Sequence, residues 1–106
     1  MMRRFTVFCI ILALGSSAVM AQSGRVQRGQ TFVQTNCSQC HAIGRFGDSP
    51  IPEAPPLRTL HTRYPVEDLA EAFAEGITTG HPSMPQFQLD PAQINDLIAY
   101  LNSIQG

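Results

Sequence analysis

Hydrophobic positions fall into four groups along the chain, and the spacing within each group predicts an element. Residues 5–14, from Phe5 to Leu14, form a nearly unbroken apolar run. Residues 25–36 carry Val26, Gly29, Phe32 and Val33 along one face, which predicts a helix with that face turned inward. Residues 65–77 repeat the pattern with Val66, Leu69, Phe73 and Ile77. Pro65 is tolerated in a first helical turn, and Glu67 and Asp68 suit the positive end of the helix dipole. Residues 92–105 place Ile94, Leu97, Ile98 and Leu101 at steps of three and four, a strong amphipathic signature. Ahead of them, Asp90, Pro91 and Gln93 read as an N-cap, a first-turn proline and the partner of a capping box.

Two punctuated stretches separate these helices. Residues 44–64 hold Gly44, Gly47, Pro50, Pro52, Pro55 and Pro56, a density that opposes regular structure. Residues 78–89 are broken by Gly80, Pro82 and Pro85. Loops this long in a small domain are functional or wrapped around something. No stretch alternates as a strand does, and no repeat is present. The predicted class is all-α: three main helices and long loops.

The apolar run at the start belongs to a different kind of segment. Arg3 and Arg4 precede it, small residues follow, and Val19 and Ala21 suit the positions before a cleavage site. Residues 1–21 therefore read as a secretory signal peptide that is removed. The run is shorter than the roughly 20 residues of a membrane span, so no span remains after cleavage. The expected domain is residues 22–106, exported to the periplasm. Of three cysteines, Cys9 leaves with the leader, and Cys37 and Cys40 stay. Met84 becomes the sole methionine. Five arginines, no lysine and eight acids give a net charge of −3, which argues against a nucleic-acid binder. An 85-residue remainder of the 106 has little core of its own and often leans on a cofactor.

The chemistry concentrates in residues 35–44, "TNCSQCHAIG". A disulfide between Cys37 and Cys40 would close a tiny loop and constrain the unfolded chain little. A thioredoxin-like redox pair wants a βαβ context, and no strand is predicted. A zinc site would need a fourth ligand beyond Cys37, Cys40 and His41, such as His61 or His81. C-x-x-C-H is also the signature of covalent haem attachment. A helical turn brings thiols three apart to adjacent vinyl groups of the porphyrin, and the next residue projects its imidazole toward the iron. Helical context and export agree with that reading. For the second axial position the thioether of Met84, braced by Pro82 and Pro85, competes with His81. A thioether opposite histidine raises the reduction potential and fills the sixth site.

With these motifs in hand, the chain over residues 24–104 resembles the class I c-type cytochromes, small soluble monohaem bacterial electron carriers. "GQTFVQTNCSQCH" resembles their first helix running into the attachment site, "APPLRTL" the segment behind the proximal histidine, "MPQF" the methionine loop and "DLIAYL" the last helix. The resemblance implies a cytochrome c fold around one covalently bound haem c. It implies Cys37 and Cys40 as thioether attachments, and His41 and Met84 as axial ligands. The Pro55 carbonyl would then accept the His41 Nδ1 proton, Leu57 and Phe87 would pack on the haem, and Leu97 and Tyr100 would face Gly29. Arg45, Arg58, Arg63 and Tyr64 are candidates for the propionates. The family's lysine docking ring has no counterpart, and the segment "RFGDSPIPE" is unassigned.

The function so implied is not enzymatic. The protein would be an exported, monomeric one-electron carrier of a respiratory chain, meeting redox partner proteins. The rival readings are a haem-based gas sensor or enzyme with a labile sixth ligand, and a redox subunit of a larger dehydrogenase or oxidase. Glu67, Glu71 and Glu75 form an acidic stripe, which reads as a solvated face or as a docking surface for a basic partner.

Overall fold

The last helix, α3 (Pro91–Ile104), has its beginning written in three side chains. The Asp90 carboxylate accepts the Gln93 N–H at 2.8 Å, and the Gln93 side chain accepts the Asp90 N–H at 3.2 Å. Pro91 occupies the first turn, where its missing N–H costs nothing. The capping box closes as the sequence predicts. Ile94, Leu97, Tyr100, Leu101 and Ile104 are all buried along one face. Ile98 sits at the margin, half-buried.

The first helix, α1 (Met2–Asn36), crosses this face. The computed structural model describes the backbone of residues 2–79 and 81–106, and side chains from Val19 onward. The apolar run of residues 5–14, with Cys9, and the loop glycine Gly80 therefore lie outside the described side chains. Val19 and Met20 are exposed on the same continuous helix. Among the described residues no helix is long and apolar enough to cross a membrane. Farther along, Val33 is fully buried, and Val26 and Phe32 pack against the core.

The two helices meet at Gly29. A Cβ placed there would lie 2.7 Å from the Tyr100 Cβ and would run into the Asp96 carbonyl oxygen. Beside the crossing, Arg28 donates to both Asp96 carboxylate oxygens at 3.0 and 3.2 Å. That exposed pair contributes at most about 1 kcal/mol, so the backbone approach sets the geometry. Gly29→Ala is expected to destabilise the protein by about 1–3 kcal/mol through overpacking, read from a denaturant midpoint. An ordinary helical glycine would gain about 1 kcal/mol from the same change, so a stabilised variant would contradict the close approach.

Between these helices the structure departs from the expected pattern twice. The proline-rich stretch 44–64 is not wholly irregular: Leu57–Thr62 winds into a 3-10 helix that buries Leu57 and Leu60. The predicted helix over 65–77 is shorter. Pro65 is extended and stands before a 3-10 turn, Val66–Asp68, which leads into α2 (Leu69–Glu75). Gly76 ends α2 with φ +101°, a conformation that glycine adopts at little steric cost. Ile77 is therefore outside the helix, half-buried, and its N–H donates to the Phe87 carbonyl at 2.9 Å. Glu67, Glu71 and Glu75 are all exposed, and Glu67 accepts a hydrogen bond from Asn102 at 3.0 Å. The described residues are helical with no strand, an all-α fold whose α1–α3 pair forms the floor under the loops.

Candidate functional site

The C-x-x-C-H stretch continues the helical course beyond the end of α1. The Cys37 N–H donates to the Val33 carbonyl at 2.8 Å, and the Cys40 and His41 N–H groups both reach the Cys37 carbonyl, at 3.2 and 3.0 Å. This turn brings Cys37, Cys40 and His41 to one wall, all half-buried. Cys37 and Cys40 are not joined to each other by a disulfide. Burial, with Cys40 adding to it, pushes the Cys37 thiol up to about 11. Among the described residues no three His, Cys, Asp or Glu side chains gather as a metal cluster.

The proline segment fixes the imidazole. His41 Nδ1–H donates to the Pro55 carbonyl at 2.7 Å. Two residues on, the Leu57 N–H donates to the Ala42 carbonyl at 2.9 Å. With its Nδ1 proton so engaged, His41 keeps the Nε2 lone pair for a metal. The loop over 45–53 braces the same turn, through Ala42 N–H to Ser49 Oγ at 2.9 Å and Ile51 N–H to the Cys40 carbonyl at 3.2 Å.

A second segment faces the same space. The loop between Ile77 and Phe87 is tied at its base by their hydrogen bond, and the Leu89 N–H to Phe73 carbonyl bond (2.9 Å) lies just beyond. Phe87 meets Phe32 edge to face, with ring centres 6.3 Å apart. Within the loop the Met84 N–H donates to the His81 carbonyl at 3.2 Å. Met84 is half-buried, whereas His81 is exposed.

These segments enclose one cavity of about 300 Å³, at the lower end of the roughly 300–1,000 Å³ of cofactor pockets. Cys37, Cys40, His41, Pro55, Leu57, Met84 and Phe87, the seven residues singled out from sequence, all line it. Its wall also includes core residues that the sequence marks only as helix faces, such as Leu69, Phe73, Leu97 and Leu101. Their apolar periodicity signals burial and is silent about what they are buried against. His81 shares the wall, while His61 is off it and bonds to Gln105 instead. Of the four propionate candidates, Arg63 and Tyr64 border the cavity. Arg45 and Arg58 do not: they donate to the Ser103 and Gly47 carbonyls at 2.7 and 2.8 Å. An apolar cavity with paired thiols, an oriented imidazole and a thioether on its wall fits a haem held by thioether bonds.

Residues 26–105 match the family described as cytochrome c. Over 88 residues the chain is 32% identical to a "Cytochrome c-553-like" protein of Synechocystis sp., covering 83% of this chain and 77% of that one. It is 25% identical over 97 residues to "Cytochrome c-552" of Bradyrhizobium diazoefficiens, covering 92% of this chain and 91% of that one. No solved structure matches it.

Proposed function

The chain belongs to the cytochrome c family, a haem electron carrier with covalently bound haem c, and from that premise we propose its ligand set and its setting. Cys37 and Cys40 anchor the haem, and His41 and Met84 are its axial ligands. The haem supplies reversible one-electron exchange between Fe(III) and Fe(II). The polypeptide does the rest. The Pro55 carbonyl holds the His41 proton on Nδ1 and strengthens Nε2 as a donor. Apolar residues around the cavity exclude water and stabilise the less charged state. Met84 keeps the sixth position filled, which suits transfer of an electron to redox partner proteins and leaves no place for a substrate.

The observation that carries this reading is the convergence of both thiols, the oriented His41 and Met84 on one apolar cavity. Met84 is favoured over His81 because it is the more buried of the two, on a turn braced by prolines. His81 Nδ1 is also engaged, accepting the Ser83 N–H at 3.3 Å. Pro55, Leu57 and Phe87 pack about the haem, with Arg63 and Tyr64 at the propionate edge.

We also propose that residues 1–21 are a leader removed on export, and that residues 22–106 act as a monomer in the periplasm, in a respiratory chain. Support comes from Arg3 and Arg4, the apolar run after them, and the Val19 and Ala21 positions. Oxidised and reduced absorption spectra of protein purified from a periplasmic extract, with N-terminal sequencing, test these points together. The expected result is a six-coordinate haem c with a methionine–iron band only when oxidised, on a chain beginning at Gln22. A five-coordinate spectrum would overturn the ligand set, and an intact Met1 would overturn the leader.

A further inference from the structure

Gln105, just past the end of α3, uses every hydrogen-bonding position of its side-chain amide. Nε2 donates to the Leu57 carbonyl at 2.7 Å and to the Leu101 carbonyl at 2.9 Å. Oε1 accepts the His61 backbone N–H at 3.0 Å and His61 Nδ1–H at 2.9 Å. An amide has two donor hydrogens and two acceptor lone pairs, so none is left over. Leu57 and His61 lie 48 and 44 residues away in sequence, and the amide clips the chain's end onto the 3-10 helix Leu57–Thr62.

The clipped residue is mechanically close to His41. The carbonyl that orients the imidazole belongs to Pro55, in a stretch where Pro55 and Pro56 have no N–H to donate. The nearest backbone donors around it are Ala54, bonded to the Ile51 carbonyl at 3.0 Å, and Leu57, bonded to the Ala42 carbonyl at 2.9 Å. Segments 41–42 and 55–57 are thus joined by two hydrogen bonds, one of them the His41–Pro55 bond. Gln105 grips the opposite side of Leu57, through its carbonyl.

We propose that Gln105 is a positioning residue for His41: by tying the Leu57 carbonyl to the end of α3, it holds segment 55–57 against 41–42 and keeps the Pro55 carbonyl on the His41 Nδ1 proton. This rests on His41 as an axial ligand. Gln105 is not itself among the cavity-lining residues and has no bond to the His41 imidazole; it acts through the Leu57 peptide, whose carbonyl it holds.

The test uses the holoprotein and three variants. Gln105→Met removes the whole amide. Gln105→Glu keeps both acceptor positions toward His61 and removes both donors. His61→Ala removes the imidazole contact and leaves the Leu57 bond. Two quantities are read: solvent exchange of the His41 Nδ1 proton in the reduced protein by NMR, and the midpoint potential. Both Gln105 variants are expected to speed exchange by roughly five- to tenfold, the effect of one weakened hydrogen bond. They should also raise the potential, because a looser Nδ1 bond makes the imidazole a poorer donor to the ferric state. His61→Ala should leave both readings near wild type. If the Gln105 variants lower the thermal midpoint with exchange and potential unmoved, Gln105 is a C-terminal staple and the proposal fails. It fails equally if His61→Ala reproduces the Gln105→Met shifts. Wild-type NMR separates the premise from the proposal: without iron-shifted His41 ring signals the ligand assignment falls, and with them only the role of Gln105 is at stake.

Discussion

Met84→Ala is expected to abolish the methionine–iron band of the oxidised protein and to lower the midpoint potential on the order of 0.1 V or more, within the ~0.8 V that axial ligation spans in haem proteins. The direction follows from the ligand: a thioether raises the potential, and its loss leaves water or a stronger donor in its place. The fold should survive, because Met84 lies in a loop closed at its base by the Ile77–Phe87 and Leu89–Phe73 hydrogen bonds. The variant should bind carbon monoxide where the wild type does not. His81 lies on the same wall, so a variant still closed to carbon monoxide, then opened by adding His81→Ala, would identify His81 as the substitute ligand. A wild-type protein that already binds carbon monoxide as readily as the variant would move the chain to the gas-sensor class.

The double replacement Cys37→Ala with Cys40→Ala is expected to cost most of the stability of the domain. A cavity of about 300 Å³ left without its occupant exposes its apolar wall to water, against a net stability of only ~5–15 kcal/mol for a whole domain. The residues that would have to collapse into the gap come from α1, the 3-10 helix, α2 and α3 at once. The apoprotein should therefore retain partial helical circular dichroism, show a weak near-ultraviolet signal and melt without a cooperative step. A sharp thermal transition with native-like near-ultraviolet dichroism would show that the polypeptide packs by itself.

Much of this arrangement is legible in the residues alone, for local reasons. The capping box of Asp90 and Gln93, the apolar face of α3 and the C-x-x-C-H turn depend on neighbours within four positions, so spacing reveals them. Gly29 is readable by resemblance, although the nearest atoms that press on it belong to Asp96 and Tyr100. Other features depend on contacts that no window contains. The 3-10 helix Leu57–Thr62 hides behind four prolines, because proline density reads as disorder of pattern until Leu57 and Leu60 find the core. The early end of α2 follows from one backbone angle at Gly76. Arg45 and Arg58 look available for propionates, yet each is drawn to a backbone carbonyl, the Arg45 partner being 58 positions away. Gln105 carries no signal at all in sequence, since a terminal glutamine resembles a solvated one.

Tyr100 gives the joint between α1 and α3 a chromophore of its own. The chain has no tryptophan and two tyrosines, so its aromatic ultraviolet signature includes two phenols in unlike settings. Tyr64 stands partly exposed at the cavity edge, while Tyr100 is buried and donates its hydroxyl to the Ile43 carbonyl at 2.6 Å. Burial raises the Tyr100 ionisation above its ordinary value near 10, with Arg45 pulling it partly back. The unfolded phenol therefore ionises first. Stability from this group is intact below the ordinary value and is lost as pH rises through the raised one. Alkali thus loosens the helix joint and ionises Tyr100 in one event, so the near-ultraviolet phenolate absorption of this residue reports on the crossing.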